Sequence, residues 1–322
     1  MPSPSFSPAP RFSEHGHPIN LVLFHGKCPD GLGAAACAYS FLGPLASYHP
    51  CFHGSMIPLS LVKDKHVLVL DFCFAPHFTQ KLKRAAASYL VLDHHSSALQ
   101  ENGHDPSCYF DLGHSGARLA WDFFNSLAEP DGALSPSSPP PPLMIDFIED
   151  RDLWRWQLPH SKEFAAVVDT LPQTVEAYAH FLHQTQADPS LIPGSILRGA
   201  DMCLYRDNII NQLVKTAARR SWLGFRVMIV NSSLLQSEIG NAVAANDDCD
   251  IAIVWSYDAF DKSCRLSLRS SKDLDPNLGT IAKQFGGGGH IRAAGMKWKS
   301  DSIESLFTRH IGLTWKPNSS HY

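Results

Sequence analysis

Three short apolar runs, at residues 20–31 (NLVLFHGKCPDG), 66–74 (HVLVLDFCF) and 89–96 (YLVLDHHS), each end in a cluster of chemically useful polar residues. Continuous apolar runs of this length predict strands buried on both faces, the condition of strands in a parallel sheet. Between them, GLGAAACAYSFLG and APHFTQKLKRAAAS predict helices, so the chain reads strand, helix, strand, helix, strand. Open α/β sheets bind ligands outside the carboxyl ends of their strands, and the three polar clusters are therefore expected to converge on one crevice.

Further along, SGARLAWDFFNSLA (115–128) predicts an amphipathic helix with Ser115 as its N-cap. The prolines of LSPSSPPPPL exclude regular structure and mark a surface loop, placed at 130–142. LMIDFIEDRDLWRWQLP resumes the apolar pattern and gathers Glu149, Asp150, Arg151 and Asp152 ahead of Trp154 and Trp156. Those tryptophans are read as core residues, with base stacking as the alternative. A long helix without internal proline is expected to link two domains at 193–221, with Gly224 just beyond it. Then FRVMIVNS, DIAIVWSYD and CRLSLRSS predict strands, with a helix at LLQSEIGNAVAAN, and the chain closes on LGTIAKQFGGGGHIRAAG. The expected organisation is a tail at 1–17, a parallel-sheet α/β domain at 18–192, the helical linker, and a smaller α/β domain at 222–316.

Composition narrows the function classes. With 322 residues, 44% hydrophobic and 18% charged, the chain can bury two cores and is of ordinary soluble type. The net charge of -4 argues against long duplex nucleic acid as a partner, since duplex binders carry a basic surplus, but leaves room for a small anionic substrate. The eight cysteines form no CxxC pair, which excludes a zinc knuckle or disulfide framework and suits a reducing compartment. No apolar run approaches the roughly 20 residues of a membrane span. The Pro/Ser-rich opening, MPSPSFSPAPRFSEHGH, reads as a disordered tail, and a cytoplasmic location is expected, with an organellar one as the alternative. A homodimer is compatible with all of this.

Adjacent acid and imidazole groups at a strand end are costly unless they find partners. Asp30, Asp71, Asp93 and His94 suffice for a shared metal cluster of oxygen and imidazole donors, a set that favours Mn²⁺, with Mg²⁺ the alternative. Two such ions clamp the oxygens of an in-line phosphoryl displacement. In FGGGGH, four glycines permit close backbone approach and an N–H nest for an anion. Arg265, Arg269, Ser270, Lys272, His290 and Arg292 add phosphate donors around it.

With DHH at Asp93, His94 and His95 and GGGH at Gly287, Gly288, Gly289 and His290, followed by Ala293, Ala294 and Gly295, the sequence resembles a DHH/DHHA1 phosphoesterase over roughly residues 19–298. CPDGLGAA is similar to the family's first motif, commonly Asp-x-Asp-Gly. The resemblance implies that Asp30 binds one ion, Asp71 bridges both, His94 and Asp150 are ligands, and His95 lies by the scissile phosphate, with Asp152 a rival to Asp150. It also implies a first domain that cuts and a second that grips the substrate's terminal phosphate or base.

Cys28 departs from the pattern, standing where the first motif's leading aspartate is usual. Either His25, Asp71 and waters hold the first ion, or Cys28 ligates a softer metal, or that site is weak; a small buried thiol at a turn is an equal reading. His25 is read as a ligand or a satisfied core histidine. The leading expectation is a metal-dependent phosphodiesterase acting on very short oligonucleotides. The alternatives are a phosphatase of a small bisphosphate or cyclic nucleotide or of polyphosphate, or a metal-deficient nucleotide or RNA-end binding module.

Overall fold

The structure, a computed structural model, describes residues 19–52, 54, 56–127 and 138–308. The expected tail at 1–17, most of the proline-rich loop and the last residues of the expected second domain lie outside them. The chain forms two compact units, Met1–Cys203 and Leu204–Tyr322.

The first unit contains, in order, β1 (Leu21–His25), α1 (Pro29–Leu42), β2 (Ser47–Cys51), α2 (Leu59–Val62), β3 (His66–Leu70), α3 (Pro76–Ala85), β4 (Ser88–Asp93), α4 (Ser96–Asn102), β5 (Cys108–Phe110), α5 (Gly116–Ser126), α6 (Leu143–Asp152), α7 (Ser161–Val168) and α8 (Val175–Ala187), and α9 (Leu191–Val214) begins in it. Its five strands are all parallel, in the order β2-β1-β3-β4-β5. The apolar runs have a direct cause, because successive strand side chains point to opposite faces. Val22, Phe24, Leu68, Leu70, Leu90 and Leu92 enter the core beneath α1 and α5, while Leu21, Leu23, Val67, Val69 and Val91 join Phe78 and Leu82 of α3 on the other face.

The sequence pattern marked three of these strands. The edges β2 (SYHPC) and β5 (CYF) are short and partly polar, and Pro50 is tolerated because an edge strand has one side without ladder bonds. Strand order reverses between β1 and β3, so the crevice expected of such sheets opens at the carboxyl ends of those two strands and β4.

The second unit holds the end of α9, then β6 (Ala218–Trp222), β7 (Phe225–Asn231), α10 (Gln236–Ala244), β8 (Ile251–Asp258), β9 (Ser263–Arg269), α11 (Leu278–Gln284), β10 (Gly288–Gly289), β11 (Ala293–Trp298) and α12 (Glu304–Thr308). Its mixed sheet runs β10-β11-β9-β8-β7-β6, with β7 and β8 parallel and the other pairs antiparallel. The helix expected over 193–221 stops at Val214. Leu223 (φ 53°) and Gly224 (φ 87°) form a two-residue turn with both backbones left-handed, the hairpin geometry that draws Ala218–Trp222 into pairing with β7. Gly224 thus serves a hairpin turn, where the sequence suggested a helix end.

Candidate metal centre

The site is built at the ends of β1, β3 and β4. His25 closes β1, and Cys28 is the N-cap residue of α1, whose first turn carries Pro29 and Asp30. The helix starts so close to the strand that a Cβ on Gly31 would lie 2.2 Å from the His25 carbonyl oxygen. Asp71 follows β3 with φ 54°, a left-handed conformation that aspartate tolerates better than most residues, while its N–H still donates to the Leu92 carbonyl at 2.9 Å. That reversal turns its carboxylate into the crevice. Asp93, His94 and His95 complete the site at the end of β4.

Asp71 belongs to two sets of side chains: one is His25, Cys28 and Asp71, and another is Asp71, Asp93, His94 and His95. A third, Asp30, His94 and Asp152, shares His94 with the second; within each, the ligand atoms lie within 4.8 Å of one another. Asp71 Oδ2 is 3.3 Å from His25 Nδ1, and its Oδ1 is 3.1 Å from His94 Nε2. His94 Nε2 is also 3.5 Å from Asp30 Oδ2 and 3.5 Å from Asp152 Oδ2. One carboxylate therefore faces both sets. Asp93 accepts from the N–H groups of His94 (2.7 Å) and His95 (3.3 Å) and lies 2.7 Å from His95 Nδ1, which fixes that ring's orientation. Its second oxygen, Oδ2, is buried with no hydrogen-bond partner among the described residues.

A second layer fixes the first. Asp30 accepts from Gly116 N–H at 2.6 Å and Ala117 N–H at 2.8 Å, and Glu149 accepts from Ser115 N–H at 3.0 Å. The opening N–H groups of α5 are thus taken by carboxylates from α1 and α6, a favourable use of a helix N-terminus. Ser115 caps the same helix by accepting from Arg118 N–H.

The electrostatics call for a cation. Asp30, Asp71 and Asp93 are each at most 1% exposed, and three buried carboxylates in one crevice are costly without compensating positive charge. Burial, reinforced by the charges of Asp71 and Asp152, pushes the Asp30 carboxyl well up. Asp152 is the exposed member of its set. For Asp71 burial acts upward, but hydrogen bonds to His25 and His94 outweigh it and hold its carboxyl well below the usual range. His94 and His95 are both raised, since neighbouring carboxylates overcome the burial that opposes their charge. Divalent ions would supply the compensating charge and fit these donors: buried carboxylates and imidazoles, with an unpaired buried oxygen on Asp93.

Of the residues expected at the metals, Asp30, Asp71, His94, His25 and Cys28 come together, and Asp150 does not. Its carboxylate accepts from Gln157 N–H (2.8 Å), Leu158 N–H (3.3 Å) and the Ser161 hydroxyl (2.5 Å), and so organises the turn between α6 and α7. Asp152 faces the crevice instead. Residues two apart on a helix point about 200° away from each other, so EDRD can present Asp150 or Asp152, not both.

The two tryptophans also depart from expectation. Trp154 is 38% exposed, and its ring meets Trp156 edge to face at 5.2 Å. Lys162 stands over the Trp156 ring at 5.5 Å. Both residues have left-handed backbones (φ 53° and 51°), because the segment after α6 folds back to bond Asp150, with Arg155 N–H donating to the Asp150 carbonyl at 2.8 Å. The turn turns Trp154 out of the core.

In the second unit, Arg265, Ser267 and Arg269 share one face of β9. Arg265 pairs with Asp258, whereas Arg269 donates to Ser237 Oγ at 2.6 Å and to Ser267 Oγ at 3.1 Å. Ser270 is buried, with its hydroxyl donating to the Lys272 carbonyl. The glycine run does not form the expected open nest. Gly287 N–H donates to the Ala282 carbonyl, His290 N–H donates to that of Ala293 at 2.6 Å, and Gly288 and Gly289 pair with β11. The glycines are needed for close packing, since a Cβ on Gly287 would lie 2.1 Å from the Gly295 carbonyl oxygen.

No family model matches the chain. It is 27% identical over 299 residues to an uncharacterized protein of Acanthamoeba polyphaga mimivirus, spanning 86% of this chain and 67% of that one. Its fold is shared with an exopolyphosphatase-related protein of Bacteroides fragilis, with a TM-score of 0.52 and 13% identity over 91% of this chain and 90% of the other. A pGpG-specific phosphodiesterase of Vibrio cholerae is also similar, with a TM-score of 0.48 and 12% identity over 89% of this chain and 94% of the other.

Proposed function

We propose that this chain is a DHH/DHHA1 phosphoesterase, a metal-dependent hydrolase that releases mononucleotides from very short oligonucleotides. The observation that carries the reading is Asp71, whose two carboxylate oxygens face two separate ligand sets at 3.3 Å and 3.1 Å. Asp30, His94 and Asp152, with Asp71 beside His94, would hold one divalent ion, and His25, Cys28 and Asp71 another. Such ions, Mn²⁺ or Mg²⁺ in the all-oxygen and imidazole set, supply charge neutralisation at phosphoryl oxygens and acidify water.

The remaining roles belong to the chain's own groups. Asp93 holds His95 through Nδ1, which orients the opposite ring nitrogen for proton transfer to the leaving oxygen. Trp154 and Trp156 follow Asp152 by two and four residues, so their Cα atoms lie within about 8 and 15 Å of it along the chain. An aromatic pair at that range with Trp154 exposed suits a base attached to the phosphate being cut, as single-stranded nucleic acids are commonly gripped by stacking. Arg265, Arg269, Ser270 and His290 of the second unit are proposed substrate contacts. A net charge of -4 offers little counterion release for gripping a longer strand.

The test is hydrolysis of end-labelled dinucleotides to pentanucleotides, RNA and DNA, with Mn²⁺, Mg²⁺ or chelator. Metal-dependent stepwise release of mononucleotides is the expected result. No cleavage of any of them, with turnover of a bisphosphate nucleotide or polyphosphate instead, would replace the oligonucleotide reading with a small-phosphate one.

A further inference from the structure

We infer that the two halves of the metal centre take different kinds of ion, and that the His25–Cys28–Asp71 half selects a thiolate-accepting ion of the zinc, cobalt(II) or iron(II) class. The inference rests on the two-ion reading proposed above and concerns which ion each half accepts. The donor sets differ in one respect that matters for selectivity. Asp30, Asp71, His94 and Asp152 offer oxygen and imidazole, whereas the other half offers one thiol, one imidazole and one carboxylate oxygen within 4.8 Å. Thiolate is a poor partner for Mg²⁺ or Mn²⁺, and a mixed sulfur, nitrogen and oxygen set is what borderline divalent ions prefer.

Position argues that Cys28 is a ligand rather than a packing residue. It stands at the N-cap of α1 with an extended backbone (φ −120°, ψ 130°), where its side chain does not cap the helix. Its thiol is hydrogen-bonded to His25, the imidazole of the same ligand set, and His25 is in turn 3.3 Å from Asp71. Cys37, by contrast, is fully buried among the alanines of α1 and donates to the Ala117 carbonyl.

Cobalt(II) provides the test, because thiolate coordination to it produces a near-ultraviolet charge-transfer band that oxygen and nitrogen ligands do not. The full chain, stripped by chelator, is titrated with Co²⁺ and followed by absorption, and bound Zn²⁺ and Mn²⁺ are counted by elemental analysis after loading with both. The expected result is a sulfur-to-cobalt band, loss of that band in Cys28→Ser with an unchanged thermal melt, and mixed zinc and manganese occupancy in the native chain. Cys28→Asp is expected to abolish the band as well and to raise manganese at the expense of zinc. Binding of two ions with no sulfur band, or a band that survives in both variants, overturns this inference and leaves the two-ion reading standing. Failure to bind any divalent ion overturns both.

Discussion

Gly116 lies against Asp71 so closely that a Cβ placed on it would be 2.4 Å from the Asp71 Cβ and 2.9 Å from its Oδ1. The first turn of α5 is thereby the back wall of the centre, and the same residue's N–H holds Asp30 at 2.6 Å. Gly116→Ala is expected to displace Asp71, costing about 1–3 kcal/mol of stability through overpacking and a larger share of metal affinity. Denaturant melts and metal titration measure the two effects. A variant that melts lower yet binds metal as before would show that Asp71 does not need its present position.

Asp150 and Asp152 predict opposite behaviour. Removing Asp150 leaves the Gln157 and Leu158 N–H groups and the Ser161 hydroxyl without their acceptor, so Asp150→Ala should destabilise the chain by about 1–3 kcal/mol. Asp152→Asn should leave the melt nearly unchanged and reduce metal binding and hydrolysis. The reverse outcome would return the ligand role to Asp150.

Metal uptake should expel protons. Burial pulls the His25 pKa down, but hydrogen bonds to Asp71 and Cys28 outweigh it, and the value is pushed up to about 11. Burial also raises the Cys28 thiol, so at neutral pH both groups carry protons that a metal must displace. Affinity should therefore rise with pH through the neutral and alkaline range until about 11, and fall on acidification. Calorimetric titration in buffers of different ionisation enthalpy counts the released protons; a buffer-independent heat would rule out protonated ligands.

Trp154→Ala tests the stacking role. The expected outcome is a KM for dinucleotides raised about 5- to 150-fold, the equivalent of about 1–3 kcal/mol per stacked base. Hydrolysis of a small aryl phosphodiester, which has no base to stack, should change little. Equal losses on both substrates would assign the tryptophan to the fold.

The amino-acid order by itself determined the parallel sheet and the meeting of His25, Asp71 and His94. Those features follow from unbroken apolar strands and from residues placed directly at strand ends, and both are local. It also showed Cys28 where an acid is usual. Other features depended on neighbours remote in the chain. The turn at Leu223 and Gly224 converted a predicted helix end into the β6–β7 hairpin. Carbonyls of α11 and β11 consumed N–H groups of the glycine run that could otherwise have formed a nest. Helix phase then chose between Asp150 and Asp152. A carboxylate two residues away in sequence is half a helical turn away in space, and only the packing of α6 decides which of the two faces the metal centre and which is left to hold a turn together.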